Sequence, residues 1–239
     1  MSTTEHVAAR DRLIFALDVP DRTQAVAWME KLGDAVSFYK IGLELLSGGD
    51  YFDVLRELAR REKKIFVDLK LHDVPATVAG TVRGLAQYPV TFCTVHCDSL
   101  AMLRAASDVK GDMRLLAVTV LTSNDESDLA ALGVRGNVAD TVIARAKLAQ
   151  AAGINGVVCS GADLPDLRAA APDLLTVCPG IRPAGPANDD QKRVVDVVTA
   201  FAQGADYIVV GRPIRQAIDP RAMAEQIVTQ IESALTPSR

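Results

Sequence analysis

The chain has 239 residues, 49% of them hydrophobic, and a formal net charge of −4. That is enough apolar material for one full core, and the absence of a basic run excludes nucleic acid or an anionic membrane as an expected partner. No stretch reaches the roughly 18 consecutive apolar residues that span a bilayer, and residues 1–11 (MSTTEHVAARD) read as a charged, flexible tail, neither signal peptide nor anchor, so a cytoplasmic protein is expected.

From Arg12 onward, strand-like runs alternate with helix-like runs. RLIFALDV precedes a helix over Gln24 to Lys31, VSFYKIG one over Tyr51 to Arg61, and KIFVDLKL one over Thr77 to Gln87. TFCTVHCD is followed by Leu100 to Asp108, RLLAVTVLTS by Val138 to Ala152, and GVVCSG by Leu164 to Ala170. LLTVCPGI with Lys192 to Ala202, and YIVVGRPI with Arg221 to Leu235, complete the series. Eight such units over residues 12–239 predict a single-domain (β/α)8 TIM barrel, a fold that takes about 250 residues; a doubly wound open sheet is the alternative.

The third unit carries an unusual pattern. Asp68, Lys70 and His72 interrupt an apolar strand at a spacing of two, which places them on one face, and Asp73 with Pro75 suits the start of the following helix, Asp73 as its N-cap. Other strand ends are polar as well: Asp18, Lys40, His96 with Asp98, Thr122 with Ser123, Ser160, the PGIRP turn, and Gly211 with Arg212. In a closed barrel these groups meet at one mouth, as in small-ligand sites. Singly, Asp18 also reads as a turn residue, Thr122-Ser123-Asn124 as a helix cap, and Ser160-Gly161 as a turn.

Lys40, flanked by apolar residues, needs a counter-charge, and Asp68 and Asp18 are available at neighbouring strand ends. Either a structural salt bridge or a functional network of alternating Lys and Asp satisfies it, each ammonium holding a carboxylate ionised and the reverse. Arg182 in PGIRP and Arg212 in VVGRPI sit beside Gly at the ends of strands seven and eight, the usual phosphate site of this barrel. The intervening PAGPANDDQ (183–191) reads as a lid or as an inert loop, with Gln191 at its far edge within reach of the same phosphate. Cys93, Cys97, Cys159 and Cys178 lack metal or redox spacing and read as buried thiols, and alternation sets His96 on the face opposite Cys93 and Cys97.

These motifs together resemble the orotidine 5′-phosphate decarboxylase family along essentially the whole chain after the tail. FVDLKLHDVPATV is similar to the family's Asp-x-Lys-x-x-Asp signature, and LDVP, YKIG, LTS, PGIRP and VGRPI follow in order; Val74 stands where Ile is common. The resemblance implies loss of CO2 from orotidine 5′-monophosphate to give uridine 5′-monophosphate, with no metal or organic cofactor. It implies Lys70 as proton donor to C6, Asp68 facing the departing carboxylate, Lys40 holding Asp68 and a ribose hydroxyl, and Asp18 on the ribose. Arg212, Gly211 and Gln191 would hold the phosphate with Arg182 close by, and Thr122 and Ser123 would lie near the pyrimidine. Asp73 and Thr77 would reach the partner's site in a homodimer.

Three rivals remain. A magnesium-dependent sugar-phosphate decarboxylase or epimerase on the same barrel needs a carboxylate where this chain has Lys40. A Schiff-base aldolase needs a lone desolvated Lys, whereas Lys70 is flanked by Asp68 and Asp73. A non-catalytic nucleotide-binding barrel would bind without turnover.

Overall fold

The structure, a computed structural model, describes residues 7–183 and 194–236. Eight parallel strands close in sequence order: β1 (Leu13–Ala16), β2 (Phe38–Gly42), β3 (Lys64–Leu71), β4 (Phe92–His96), β5 (Arg114–Val118), β6 (Gly156–Val158), β7 (Leu175–Cys178) and β8 (Tyr207–Val210). β1 pairs with both β2 (Ile14 opposite Phe38) and β8 (Ile14 opposite Val209), so the sheet has no edge and the open-sheet alternative falls. Each strand is followed by one main helix on the outside: α1 (Arg22–Leu32), α2 (Tyr51–Arg60), α3 (Pro75–Leu85), α4 (Leu100–Ser107), α5 (Val138–Ala151), α6 (Leu164–Ala170), α7 (Val197–Ala202) and α8 (Pro220–Leu235).

Strand alternation divides the core in two. Leu13, Phe15, Tyr39, Ile41, Ile65, Val67, Cys93 and Val95 pack outward against the helices, while Ile14, Phe38, Phe66, Phe92, Leu116, Val177 and Tyr207 fill the barrel. Phe92 is the hub of that interior, with ring centroids 5.2 Å from Phe38, 5.9 Å from Phe66 and 5.0 Å from Tyr207. An aromatic floor therefore separates the lower barrel from the polar strand ends above it. At β6 the interior position is Gly156, where a Cβ would lie 2.5 Å from the Leu175 carbonyl oxygen and 3.0 Å from Leu116 Cδ2. Gly156→Ala forces β6 and β7 apart and is expected to cost about 1–3 kcal/mol in a urea unfolding titration, whereas Gly80→Ala, inside α3 with nothing near its Cβ, is expected to add about 0.5–1 kcal/mol.

Helix starts follow local chemistry. Asp21, Ser99, Asn137, Asp196 and Asp219 each accept a backbone N–H three residues on. The expected Asp73 cap is different: Val74 occupies the cap position, Pro75 opens the helix, and the Asp73 carboxylate accepts the Val74 N–H at 2.6 Å. Pro75 supplies the helical φ that a cap would otherwise help select, which leaves Asp73 exposed at the rim. The inner end of the expected tail is ordered. Ala9–Arg12 form a helical turn, Asp11 pairs with Lys64 at 2.7 Å, and Arg12 donates to the Asp206 carbonyl at 3.1 Å, so this segment covers the floor. Leu43–Ser47, Glu126–Ala131 and Arg212–Arg215 are short helices that sequence periodicity misses, being too brief to show a face.

Candidate active site

The centre of the site is an irregularity in β3. Val67 lies opposite Cys93 and Leu71 opposite Val95, so four steps along β3 match two along β4. The excess is absorbed at Lys70, whose φ of +50° places a non-glycine residue in the left-handed region. Such a backbone persists only when its surroundings hold it. Here the Thr94 hydroxyl, fully buried on β4, accepts the Lys70 N–H at 2.9 Å and donates to Asp68 Oδ1 at 2.9 Å.

Around this bulge the charges form a row. Lys70 Nζ is 3.0 Å from Asp68 Oδ1, Asp68 Oδ2 is 3.4 Å from Lys40 Nζ, and Lys40 Nζ is 3.0 Å from Asp18 Oδ1. Burial alone would push the Asp68 carboxyl up, but Lys40, then Lys70, with hydrogen bonds from Lys70 and Thr94, hold it below the usual carboxylate range. Burial likewise works against the Lys40 ammonium, and Asp68 and Asp18 outweigh it, so its pKa is raised. Both groups therefore stay ionised throughout the neutral pH range.

The row borders a cavity of about 240 Å³ at the carboxyl ends of the strands. Phe66, Val118 and Val158 form its apolar base, and Asp18, Lys40, Asp68, Lys70, Thr122, Arg182, Gly211 and Arg212 are in its wall. Arg182 is 7% exposed and its Nη1 donates to the Ile181 carbonyl at 2.9 Å. A Cβ at Gly211 would lie 3.1 Å from Ala16 Cβ, so the glycine lets the end of β8 pack close against β1. Ser123, Asp73 and Thr77 lie outside this chain's cavity wall, Ser123 donating to Asn124 Oδ1 at 3.2 Å. Gln191 and most of the expected lid (184–191) lie outside the described residues.

The geometry matches a known family. Residues 11–227 fit the model of the Orotidine 5′-phosphate decarboxylase / HUMPS family. The chain belongs to that family. Orotidine 5′-phosphate decarboxylase from Xanthomonas euvesicatoria pv. vesicatoria is 60% identical over 96% of this chain and 95% of its own length. The protein of the same name from Xanthomonas axonopodis pv. citri is 59% identical with the same coverage. Among solved structures, orotidine 5′-phosphate decarboxylase from Lactobacillus acidophilus superposes with a TM-score of 0.80 at 36% identity, covering 92% of this chain and 98% of that one. The family resemblance carried by FVDLKLHDVPATV is thereby shown.

Two residues of this family member's site escape sequence reading. Thr94 shares the parity of the inward-facing Phe92, a signal present in TFCTVHCD but indistinguishable from ordinary strand threonine. Arg215, three residues past Arg212, lines the cavity and donates through Nη1 to the Asp18 carbonyl, tying the end of β8 to the loop after β1. His72, His96 and Asp98 form a separate rim group: His72 Nε2 is 2.9 Å from Asp98 Oδ2, and the two imidazoles are 5.1 Å apart. None of the three is in the cavity wall. Cys93, Cys97, Cys159 and Cys178 are buried free thiols, with burial pushing Cys93 up to about 12 and Cys97 to about 11.

Proposed function

We propose that this chain is a carboxy-lyase that converts orotidine 5′-monophosphate to uridine 5′-monophosphate and CO2, the last step of de novo pyrimidine synthesis, in the cytoplasm and without metal or organic cofactor. The observation that carries the mechanism is the Asp18–Lys40–Asp68–Lys70 row, with Lys40 12% exposed between two carboxylates at 3.0 and 3.4 Å. The names borne by relatives of nearly equal length support the reaction itself.

Breaking the C6–carboxylate bond leaves an electron pair on C6 with no π-system positioned to absorb it. Fixed positive charge beside C6 stabilises that pair, and the Lys70 ammonium is the group held there by Asp68. Transfer of one Nζ proton to C6 completes the product and leaves a neutral amine, which solvent reprotonates. Asp68 faces the departing carboxylate, and Lys40 keeps Asp68 ionised while sharing a ribose hydroxyl with Asp18. Arg212, Gly211 and Gln191 hold the phosphate beside Arg182, and Thr122 and Ser123 lie near the pyrimidine. Binding energy from that phosphate is realised far from C6 and contributes to the transition state.

Asp73 and Thr77, exposed and outside their own cavity, complete the site of a partner subunit in a homodimer. Mixed dimers of Asp68→Asn and Asp73→Asn chains are then expected to regain up to about a quarter of wild-type activity when subunits exchange, since one site in a mixed dimer is intact. Exchange demonstrated by mass spectrometry without any recovery would show that each chain builds its site alone.

The rivals lack support in the same geometry. The end of β2 presents the Lys40 ammonium where a magnesium site of a sugar-phosphate enzyme needs a carboxylate. A Schiff-base lysine acts as a free amine, and Lys70 Nζ is instead ion-paired with Asp68 at 3.0 Å. The deciding experiment follows the ultraviolet absorbance of orotidine 5′-monophosphate with purified protein in EDTA. Decay of the substrate band with CO2 release is expected; a folded protein that binds the nucleotide without decay would return the barrel to a binding function.

A further inference from the structure

We infer that Thr94 is a positioning residue for Lys70 and Asp68, its hydroxyl fixing in one geometry the bulge that aims the ammonium and the carboxylate that holds it; this rests on the decarboxylase reading above. The hydroxyl sits at the one point where both halves of the pair can be reached. One of its lone pairs takes the N–H of Lys70, the residue with φ +50°, and its only hydrogen goes to Asp68 Oδ1, the same oxygen that Lys70 Nζ contacts at 3.0 Å. An ionised carboxylate accepts and cannot donate, so the direction of both bonds is fixed. Three atoms are thereby locked in a small ring of contacts: the Lys70 amide, the Thr94 oxygen and the Asp68 oxygen.

Thr94 is fully buried and is not in the cavity wall, so it acts only through the other two. The regular ladder between β3 and β4 is interrupted between Val67 and Leu71, so the Lys70 amide relies on this side chain. Without the hydroxyl, a part-buried N–H loses its acceptor and Asp68 one of its donors. The bulge then relaxes toward ordinary strand geometry, which swings Lys70 away from the mouth.

The test compares Thr94→Val, nearly the same shape without the hydroxyl, with Thr94→Ser, which keeps it. Thr94→Val is expected to lower kcat for orotidine 5′-monophosphate about 10- to 100-fold, the loss of hydrogen bonds to and beside a charged pair. KM and the affinity for uridine 5′-monophosphate, read by calorimetry, stay within about threefold, because phosphate and ribose contacts lie elsewhere. Thr94→Ser retains kcat within about threefold of wild type. If Thr94→Val does not fold, Thr94→Ser against Thr94→Ala gives the same comparison of hydroxyl present and absent. Equal kcat in Thr94→Val and wild type, or equal damage in the Ser and Val forms, would overturn the role. A crystal structure of the Val variant with Lys70 still at positive φ and still on Asp68 would overturn it even if activity fell. Failure of the decarboxylase reading is separate, since it appears as no turnover by the wild-type protein.

Discussion

Lys70→Ala is expected to lower turnover of orotidine 5′-monophosphate by at least about 10⁴-fold while leaving the fold intact. Two effects vanish together: positioned proton transfer, worth roughly 10²- to 10⁴-fold, and fixed charge beside the developing electron pair, worth roughly 10²- to 10³-fold for one removed donor. The fold survives because Lys70 is 30% exposed and Asp68 keeps Lys40 and Thr94 as partners. With two partners left on Asp68, the lost ion pair is expected to cost about 1–2 kcal/mol, so a thermal unfolding scan should show a shift of only a few degrees. Single-turnover kinetics separates the outcomes: a variant that keeps more than a tenth of the wild-type rate removes Lys70 as proton donor.

Arg212→Ala should reduce kcat/KM for orotidine 5′-monophosphate by roughly 10²- to 10³-fold, through loss of a forked, charge-assisted contact to phosphate. The same change should alter the much slower reaction of phosphate-free orotidine by less than about threefold. Arg212 opens the short Arg212–Arg215 helix with Pro213 in its first turn, so Ala fits there without moving the backbone of Gly211. A similar loss on both substrates would place the phosphate elsewhere and give Arg212 a structural role.

The barrel was legible in the sequence because each strand end is marked twice, by the end of an apolar run and by a polar residue with Gly, Pro or Asp nearby. Asp18, Lys40, Asp68 and Lys70 could be placed together for the same reason: an ion in an apolar run has few possible partners, and the barrel order brings those few into contact. The spacing-of-two reading of Asp68 and Lys70 reached the right pairing by an incomplete route, since the left-handed turn at Lys70 breaks the alternation on which it relied. Nothing in a local pattern announces a positive φ at a lysine. Thr94 was invisible for a related reason, its function being set by a neighbour 24 residues away in sequence. The cap at Asp73 failed because two local rules competed, and the proline fixed the first turn of the helix instead.

The closing seam of the barrel joins Leu13 to Ile208, Ile14 to Val209 and Phe15 to Val210. During synthesis, β1 waits for a closing partner made nearly two hundred residues after it. At rates of roughly 5–20 residues per second, that interval lasts on the order of ten seconds or more. For that time the nascent chain carries unpaired strand edges at β1 and at whichever strand was made last, and these edges can pair with other chains. The seam thus couples the yield of folded protein to the pace of the ribosome, and a stall or truncation before Tyr207 leaves a chain with two open edges.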